Sequence, residues 1–189
     1  MSKYLTEQSI RDPPKYMVDI MNKYVKKQYK ILDIGMGNGL QYGIKLSHDK
    51  YYVGLEPFDK LYAVAKKNCK KFNCNIKIIN KTFDDYSSTK KFNIILFINS
   101  FHFIHNFEKT IKKAYNFLDK DGIIIIKEPR SVPYGWASNK LNKESDEFDK
   151  IIWNKKKNIL KKTKEYLLEQ PNVKYYKLSR GHVFVFIKI

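Results

Sequence analysis

Sulfur, arginine and long apolar stretches are scarce in this chain, and each scarcity excludes something. Two cysteines in 189 residues, Cys69 and Cys74, are too few for a disulfide framework and lack the second pair a zinc site would want. Free thiols and no metal are expected. No run is long and apolar enough to span a bilayer, and the opening "MSKYLTEQ" has no apolar core of the signal-peptide kind. A cytosolic protein without a membrane partner is expected. Arginine occurs only at Arg11, Arg130 and Arg180, so lysine carries nearly all of a formal net charge of +18. A basic surface gains affinity for polyanions by releasing counterions, yet bidentate recognition of phosphate or guanine favours the planar fork of arginine. The accompanying wealth of Asn, Ile, Tyr and Phe is what AT-rich codons specify. Two origins of the charge therefore stay open, a polyanionic partner and genome composition.

No repeat or low-complexity linker divides the chain. One domain is expected over residues 1–189, with a helical N-terminal segment, 1–29, ahead of a core, 30–189. Apolar runs of strand length recur at "YKILDIG", "YYVGLE", "NIKIIN", "FNIILFIN" and "GIIIIKEP", separated by material of crossover length. Runs that are almost continuous Ile, Leu and Val are buried on both faces, which implies a parallel sheet covered by helices on either side. Residues 59–71 (Leu61, Val64, Ala65) and 106–118 (Phe107, Ile111, Ala114, Tyr115, Leu118) carry apolar residues at helical spacing, and "DKDG" predicts a turn before the fifth strand. Residues 147–169 predict a long amphipathic helix with Phe148, Ile151, Ile152, Ile159, Leu160, Leu167 and Leu168 inward. "VKYYKLS" and "HVFVFIKI" follow around Arg180-Gly181, a connection so tight that these two strands must be antiparallel.

The stretch "ILDIGMGNGL" leaves the first strand and opens the next element, where the carboxyl ends of strands in an open α/β sheet form the ligand crevice. Its glycines are Gly35, Gly37 and Gly39, with Asp33 just before them. A pyrophosphate would be repelled by that aspartate, whereas an ammonium or sulfonium would be attracted. Glycine suits a bend of positive φ and leaves room that a β-carbon would take from a ligand; a tight strand-to-helix turn alone would use the same residues. Glu56 ends the second strand in "YYVGLEPF", and an acid at that tip, roughly 20 residues beyond the loop, accepts both hydroxyls of a ribose.

"ILDIGMGNG", "VGLEP", "FNIILFINSFHFI", "AYNFLDKDGIIIIKEP" and the closing antiparallel pair together resemble a class I methyltransferase that uses S-adenosylmethionine, over the chain from about Lys30 onward. The resemblance implies an α/β, Rossmann-like three-layer sandwich with a seven-stranded, mostly parallel sheet ordered 3-2-1-4-5-7-6 and an antiparallel last strand. It also implies that Gly35, Gly37 and Gly39 pack against the methionine part of the cofactor, that Asp33 lies near its ammonium, that Glu56 holds the ribose, and that Pro57 and Phe58 flank the adenine. After the third strand the family often places an aspartate for the adenine amino group. Thr82 stands at that position here, leaving Asp84 or the Phe83 backbone as candidates.

A sulfonium methyl is already activated, so in-line transfer mostly needs an acceptor held close, and a general base is optional. "NSFHF" at the tip of the fourth strand places Asn99, Ser100 and His102 toward the crevice: Asn99 as a cofactor contact, Ser100 as a substrate contact and His102 as the candidate base, since imidazole as a residue type exchanges protons near neutral pH. His102 packing beside the cofactor is the plainer alternative. Arg130, Tyr134 and Trp136 in the loop after the fifth strand are candidate acceptor contacts. The resemblance makes Tyr4, Arg11 and Tyr16 candidate lid residues. "NSFH" departs from the Asn-Pro-Pro-Tyr-like tetrapeptide of nucleobase amino-N enzymes. Transfer to an O or N nucleophile of a small molecule is the first expectation, transfer to RNA or protein the second, and a non-catalytic cofactor-binding partner subunit the third. The runs 155–157 and 161–164 read as wet helix faces.

Overall fold

Five apolar runs become strands because each can bury side chains alternately on two covered faces. The computed structural model describes residues 12–25, 29–39, 51–70, 76–129, 159–179 and 181–188. In chain order its elements are α1 (Lys15–Tyr24), β1 (Ile31–Ile34), β2 (Tyr52–Leu55), α2 (Asp59–Cys69), β3 (Ile76–Ile79), β4 (Phe92–Ile98), a 3-10 turn (Phe101–Phe103), α3 (Phe107–Phe117), β5 (Leu118–Pro129), α4 (Ile159–Glu169), β6 (Val173–Leu178) and β7 (Gly181–Ile187). The seven strands form one sheet in the order β3-β2-β1-β4-β5-β7-β6. Pairs β2–β3, β1–β2, β1–β4 and β4–β5 are parallel, and β7 runs antiparallel to both β5 and β6. This is the expected α/β, Rossmann-like methyltransferase sheet.

Period-two alternation sorts the strand residues into two cores. Ile31, Ile94, Leu96, Ile123, Ile125, Val183 and Val185 face one side, where Met17, Ile20 and Met21 of α1 and Ala65 and Cys69 of α2 cover them. Leu32, Ile95, Phe97, Ile124, Ile126, Phe184 and Phe186 face the other, under Ile111, Ala114 and Phe117 of α3 and Leu167 of α4. The second core is aromatic: Phe97 meets Phe101 and Phe83 edge-on at centroid distances of 5.1 and 6.0 Å, an arrangement the ring quadrupoles favour.

Helix α3 starts where Asn106 caps it, its side chain accepting the Lys109 N–H at 2.9 Å. Replacing Asn106 with Ala is expected to cost about 1 kcal/mol in urea unfolding; an unchanged midpoint would mean that the end is held by packing alone.

Two expectations need correction. The "DKDG" segment lies within β5 as an irregularity: pairing with β4 shifts from Phe92↔Leu118 to Ile94↔Ile123, and Asp121 adopts φ 61°. The chain thus bends inside the strand rather than before it. In α4, Leu168 is 43% exposed whereas Thr163 and Leu167 are buried, because positions four apart share a helix face and adjacent ones do not. The rest of the expected long helix, with Phe148, Ile151 and Ile152, lies outside the described residues, as does Cys74. Cys69 is buried. Among the described residues no helix is long and apolar enough to cross a membrane.

Candidate active site at the strand tips

The site begins where β1 stops. Its last residue, Ile34, pairs with Leu55 and Phe97, and the chain then leaves the sheet through Gly35, Gly37 and Gly39, whose φ angles are 71°, 64° and 72°. Gly35 and Met36 both donate their N–H to the Leu55 carbonyl, at 2.9 and 3.0 Å, which pins the loop across the tip of β2. The three glycines face different surroundings. A β-carbon on Gly35 would lie 2.6 Å from the Ser100 Cβ, and one on Gly39 would lie 3.2 Å from the Ala65 Cα, whereas one on Gly37 would meet nothing within 4 Å. Gly35 and Gly39 therefore let β4 and α2 close on the loop, and Gly37 borders open space.

Two carboxyl groups stand at these strand ends, Asp33 just before the loop and Glu56 against Gly37. Asp33, 1% exposed, accepts the Tyr52 hydroxyl at 2.8 Å on Oδ2, while its buried Oδ1 has no hydrogen-bond partner among the described residues. Burial pushes the Asp33 carboxyl up to about 7, opposed by the Tyr52 bond and reinforced by the nearby charge of Glu56. Glu56, buried at the tip of β2, accepts the Gly37 N–H on Oε2 at 2.8 Å and the Phe58 N–H on Oε1 at 3.0 Å. Burial raises its proton affinity and these two bonds oppose the rise. Among the described residues each Glu56 oxygen takes one of the two bonds it can accept. Asn80, at the end of β3, donates to the Glu56 and Pro57 carbonyls at 3.0 and 3.2 Å, tying the tips of β2 and β3 together. Pro57 is exposed, and Phe58 is 46% exposed beside it.

The tip of β4 makes the next wall. Asn99 adopts φ 56°, a left-handed conformation that asparagine tolerates better than other side chains. It donates its N–H to the Lys127 carbonyl at 2.8 Å and accepts the Lys127 ammonium on Oδ1 at 2.5 Å. Ser100 points into the sheet: its hydroxyl donates to the Ile34 carbonyl at 2.5 Å, which ties β4 to the end of β1. His102, 3% exposed on the 3-10 turn, is hydrogen-bonded through Nδ1 to Glu128 Oε2, at the end of β5. The other Glu128 oxygen accepts the Phe101 N–H at 3.0 Å. One buried carboxylate thus fixes both the turn and the imidazole ring on it. No partner for Nε2 occurs among the described residues.

Not every candidate comes to the crevice. Phe83 is buried in the aromatic core. Asp84 turns toward α3, its carboxylate 3.9 Å from the Lys109 ammonium and its carbonyl accepting from Lys113 at 2.7 Å; Thr82 is bonded to Asp85 at 2.5 Å. Tyr16 packs against the α1 side of the core. Tyr4, Arg11, Arg130, Tyr134 and Trp136 lie outside the described residues. A shallow depression of 440 Å³ against α3, walled by Lys109, Lys112 and Lys113 among others, is separate from the glycine loop and its two acids. Sequence reasoning missed Tyr52, Asn80, Lys127 and Glu128. Glu128 carries the same signal that singled out Glu56, an acid at the carboxyl tip of an apolar strand.

A seven-stranded sheet of this order, with a glycine loop and two buried acids at its strand tips, defines a Rossmann-like methyltransferase fold. Residues 25–170 match the family described as "Methyltransferase domain", and the chain belongs to that family. It is 29% identical over 115 residues to the carboxy-S-adenosyl-L-methionine synthase of Nautilia profundicola, an alignment covering 59% of this chain and 49% of that protein; the chain thus spans about half the length of this curated relative. Among solved structures it resembles the Podospora anserina methyltransferase PaMTH1 bound to SAH, with a TM-score of 0.60 and 20% identity over 92% of this chain and 77% of that one. The plantazolicin methyltransferase BpumL, in complex with a pentazolic desmethylPZN analog and SAH, gives a TM-score of 0.59 and 15% identity over 92% and 81%. Coclaurine N-methyltransferase gives a TM-score of 0.52 and 16% identity over 60% of this chain, which spans 35% of that structure.

Proposed function

We infer that this protein transfers a methyl group from S-adenosylmethionine to an O or N nucleophile of a small acceptor. The observation that carries this is the buried Asp33 Oδ1, without a hydrogen-bond partner among the described residues, two residues ahead of a glycine loop in which Gly37 borders open space. An orphaned acid oxygen in the interior is costly unless a cation satisfies it, and the remaining acceptor capacity of Glu56 suits a sugar diol. The residues present therefore fit the cofactor. Asp33 would take its ammonium, Glu56 its ribose, and Phe58 would lie against its base. With Asp84 turned toward α3, the backbone after β3 is left as the reader of the adenine edge.

When bound, S-adenosylmethionine supplies a methyl group already activated on a sulfonium. The chain's own task is to hold the acceptor and to remove its proton. Because Glu128 takes hydrogen bonds on both oxygens, His102 donates through Nδ1, and its Nε2 is left with the lone pair. That lone pair is the base for an acceptor hydroxyl or ammonium, and Glu128 orients it. Asn99 and Lys127, bonded to each other at the tips of β4 and β5, are candidates to line the acceptor side.

The test is calorimetry with S-adenosylmethionine and its demethylated product, followed by a labelled-methyl screen over small-molecule, RNA and protein pools. Cofactor binding with label entering small molecules supports the proposal; absence of cofactor binding sinks it. The exposed lysines of α3 and the net charge of +18 keep an RNA or protein acceptor as a second reading, for which RNA binding should fall steeply with salt.

A further inference from the structure

We propose that Asp33 is a proton-linked latch: its carboxyl group holds a proton while the crevice is empty and releases it to solvent when an ammonium arrives against Oδ1. This rests on the cofactor reading above and adds to it a coupling between pH and cofactor binding.

The geometry sets the two states. Among the described residues the only hydrogen bond to the Asp33 carboxyl is from the Tyr52 hydroxyl, on Oδ2, and Oδ1 is buried without a partner. An ionised carboxylate with one bond and no counter-charge is a poor occupant of the interior. No neighbour on its row supplies charge, since Asp33 stands beside Gly54 of β2 and Leu96 of β4. The α1 side of the sheet adds Met17 and Met21, and α2 adds Ala65 and Cys69. Among the described residues the ionisable groups that face Asp33 or its partner are Tyr52, Glu56 and Cys69, none of them a cation. Glu56 opposes a second negative charge nearby, and it differs from Asp33 in having both oxygens bonded to backbone N–H groups. Of the two acids, Asp33 is therefore the one that stays neutral until a cation arrives. The ammonium supplies the missing partner, lowers the proton affinity of the carboxyl group and drives the proton out.

The sign and size follow from linkage. With the carboxyl at about 7 in the empty protein, binding an ammonium-bearing ligand should release close to ~1 proton at pH 6 and roughly a quarter of one at pH 7.5, and affinity should rise about 5- to 10-fold between those values. The empty protein should show the converse. Because the folded-state value lies above the ordinary carboxylate range, the fold loses stability as pH climbs from that range through about 7, then levels off. Asp33→Asn removes that loss, so its thermal midpoint should exceed that of the wild type by roughly 10 °C at pH 8, with the gap closing toward about pH 4.

The deciding measurement is titration calorimetry of the full chain with S-adenosylhomocysteine, which keeps the ammonium and lacks the sulfonium, in paired buffers of different ionisation enthalpy between pH 6 and 7.5. Proton release that follows the predicted course, and that vanishes in Asp33→Asn, supports the latch. Tyr52→Phe, which removes the one bond favouring the charged form, should move the release window to higher pH and serves if Asp33→Asn does not fold. Binding with no proton release at any pH overturns the latch while leaving the cofactor reading in place, and so does release that persists in Asp33→Asn. Failure of the compound to bind at any pH overturns both.

Discussion

Replacing Glu56 with Ala is expected to weaken binding of S-adenosylhomocysteine by about 30- to 150-fold without lowering the thermal midpoint of the empty protein. The two parts of that result have separate causes. Hydrogen bonds from two sugar hydroxyls to a carboxylate are charge-assisted, and losing them costs about 2–3 kcal/mol of binding, which converts to that fold-change. The empty protein, by contrast, keeps a buried carboxylate whose proton affinity is raised by desolvation, so deleting it relieves a cost while sacrificing two bonds to backbone N–H groups. Gly37→Val tests the same crevice from the other side. A branched side chain at φ 64° would stand in the space where a β-carbon now meets nothing within 4 Å, and binding should fall by at least about tenfold from strain and obstruction together. Wild-type affinity in both variants would mean that the ligand sits elsewhere.

Replacing His102 with Ala is expected to lower kcat by about 10²- to 10⁴-fold on any acceptor that must lose a proton, with cofactor affinity unchanged, because a positioned general base contributes on that scale. Glu128→Gln separates positioning from proton transfer. The amide retains the shape of the carboxylate and can still accept from the Phe101 N–H, but it loses the negative charge facing Nδ1. It should reduce kcat by a smaller factor, on the order of 10-fold or more, and leave KM nearly alone. Unchanged kcat in His102→Ala would assign the histidine to packing against Phe103, whose ring centroid lies 4.1 Å away.

Which parts of the site were legible in the sequence follows from how far each contact reaches along the chain. The glycines, Asp33 and Glu56 are tied to one strand end or the next, and the position of an acid or glycine at the carboxyl end of an apolar run is a local property. Tyr52 looked like one more strand residue, and its hydroxyl meets Asp33 only because β2 lies beside β1 in parallel register. Glu128 reaches His102 across a sequence separation of 26 residues, a pairing set by the adjacency of β4 and β5. Ser100 was expected to face the crevice, but the close approach of Gly35 turned its hydroxyl onto the Ile34 carbonyl. Leu168 was expected inward because apolar residues two abreast on a helix look equivalent until the neighbouring element selects which of them it covers.

By itself the sequence determined the alternation of strands and helices, the burial of the sheet on both faces and the position of glycines and acids at the strand ends, since each is written in short-range periodicity and in residue types at strand ends. Tertiary structure alone decided which glycine borders open space, which acid is left with an unpartnered oxygen and which carboxylate holds the histidine. Those outcomes depend on distances between segments far apart in the chain, and only the packing of strands in register sets such distances.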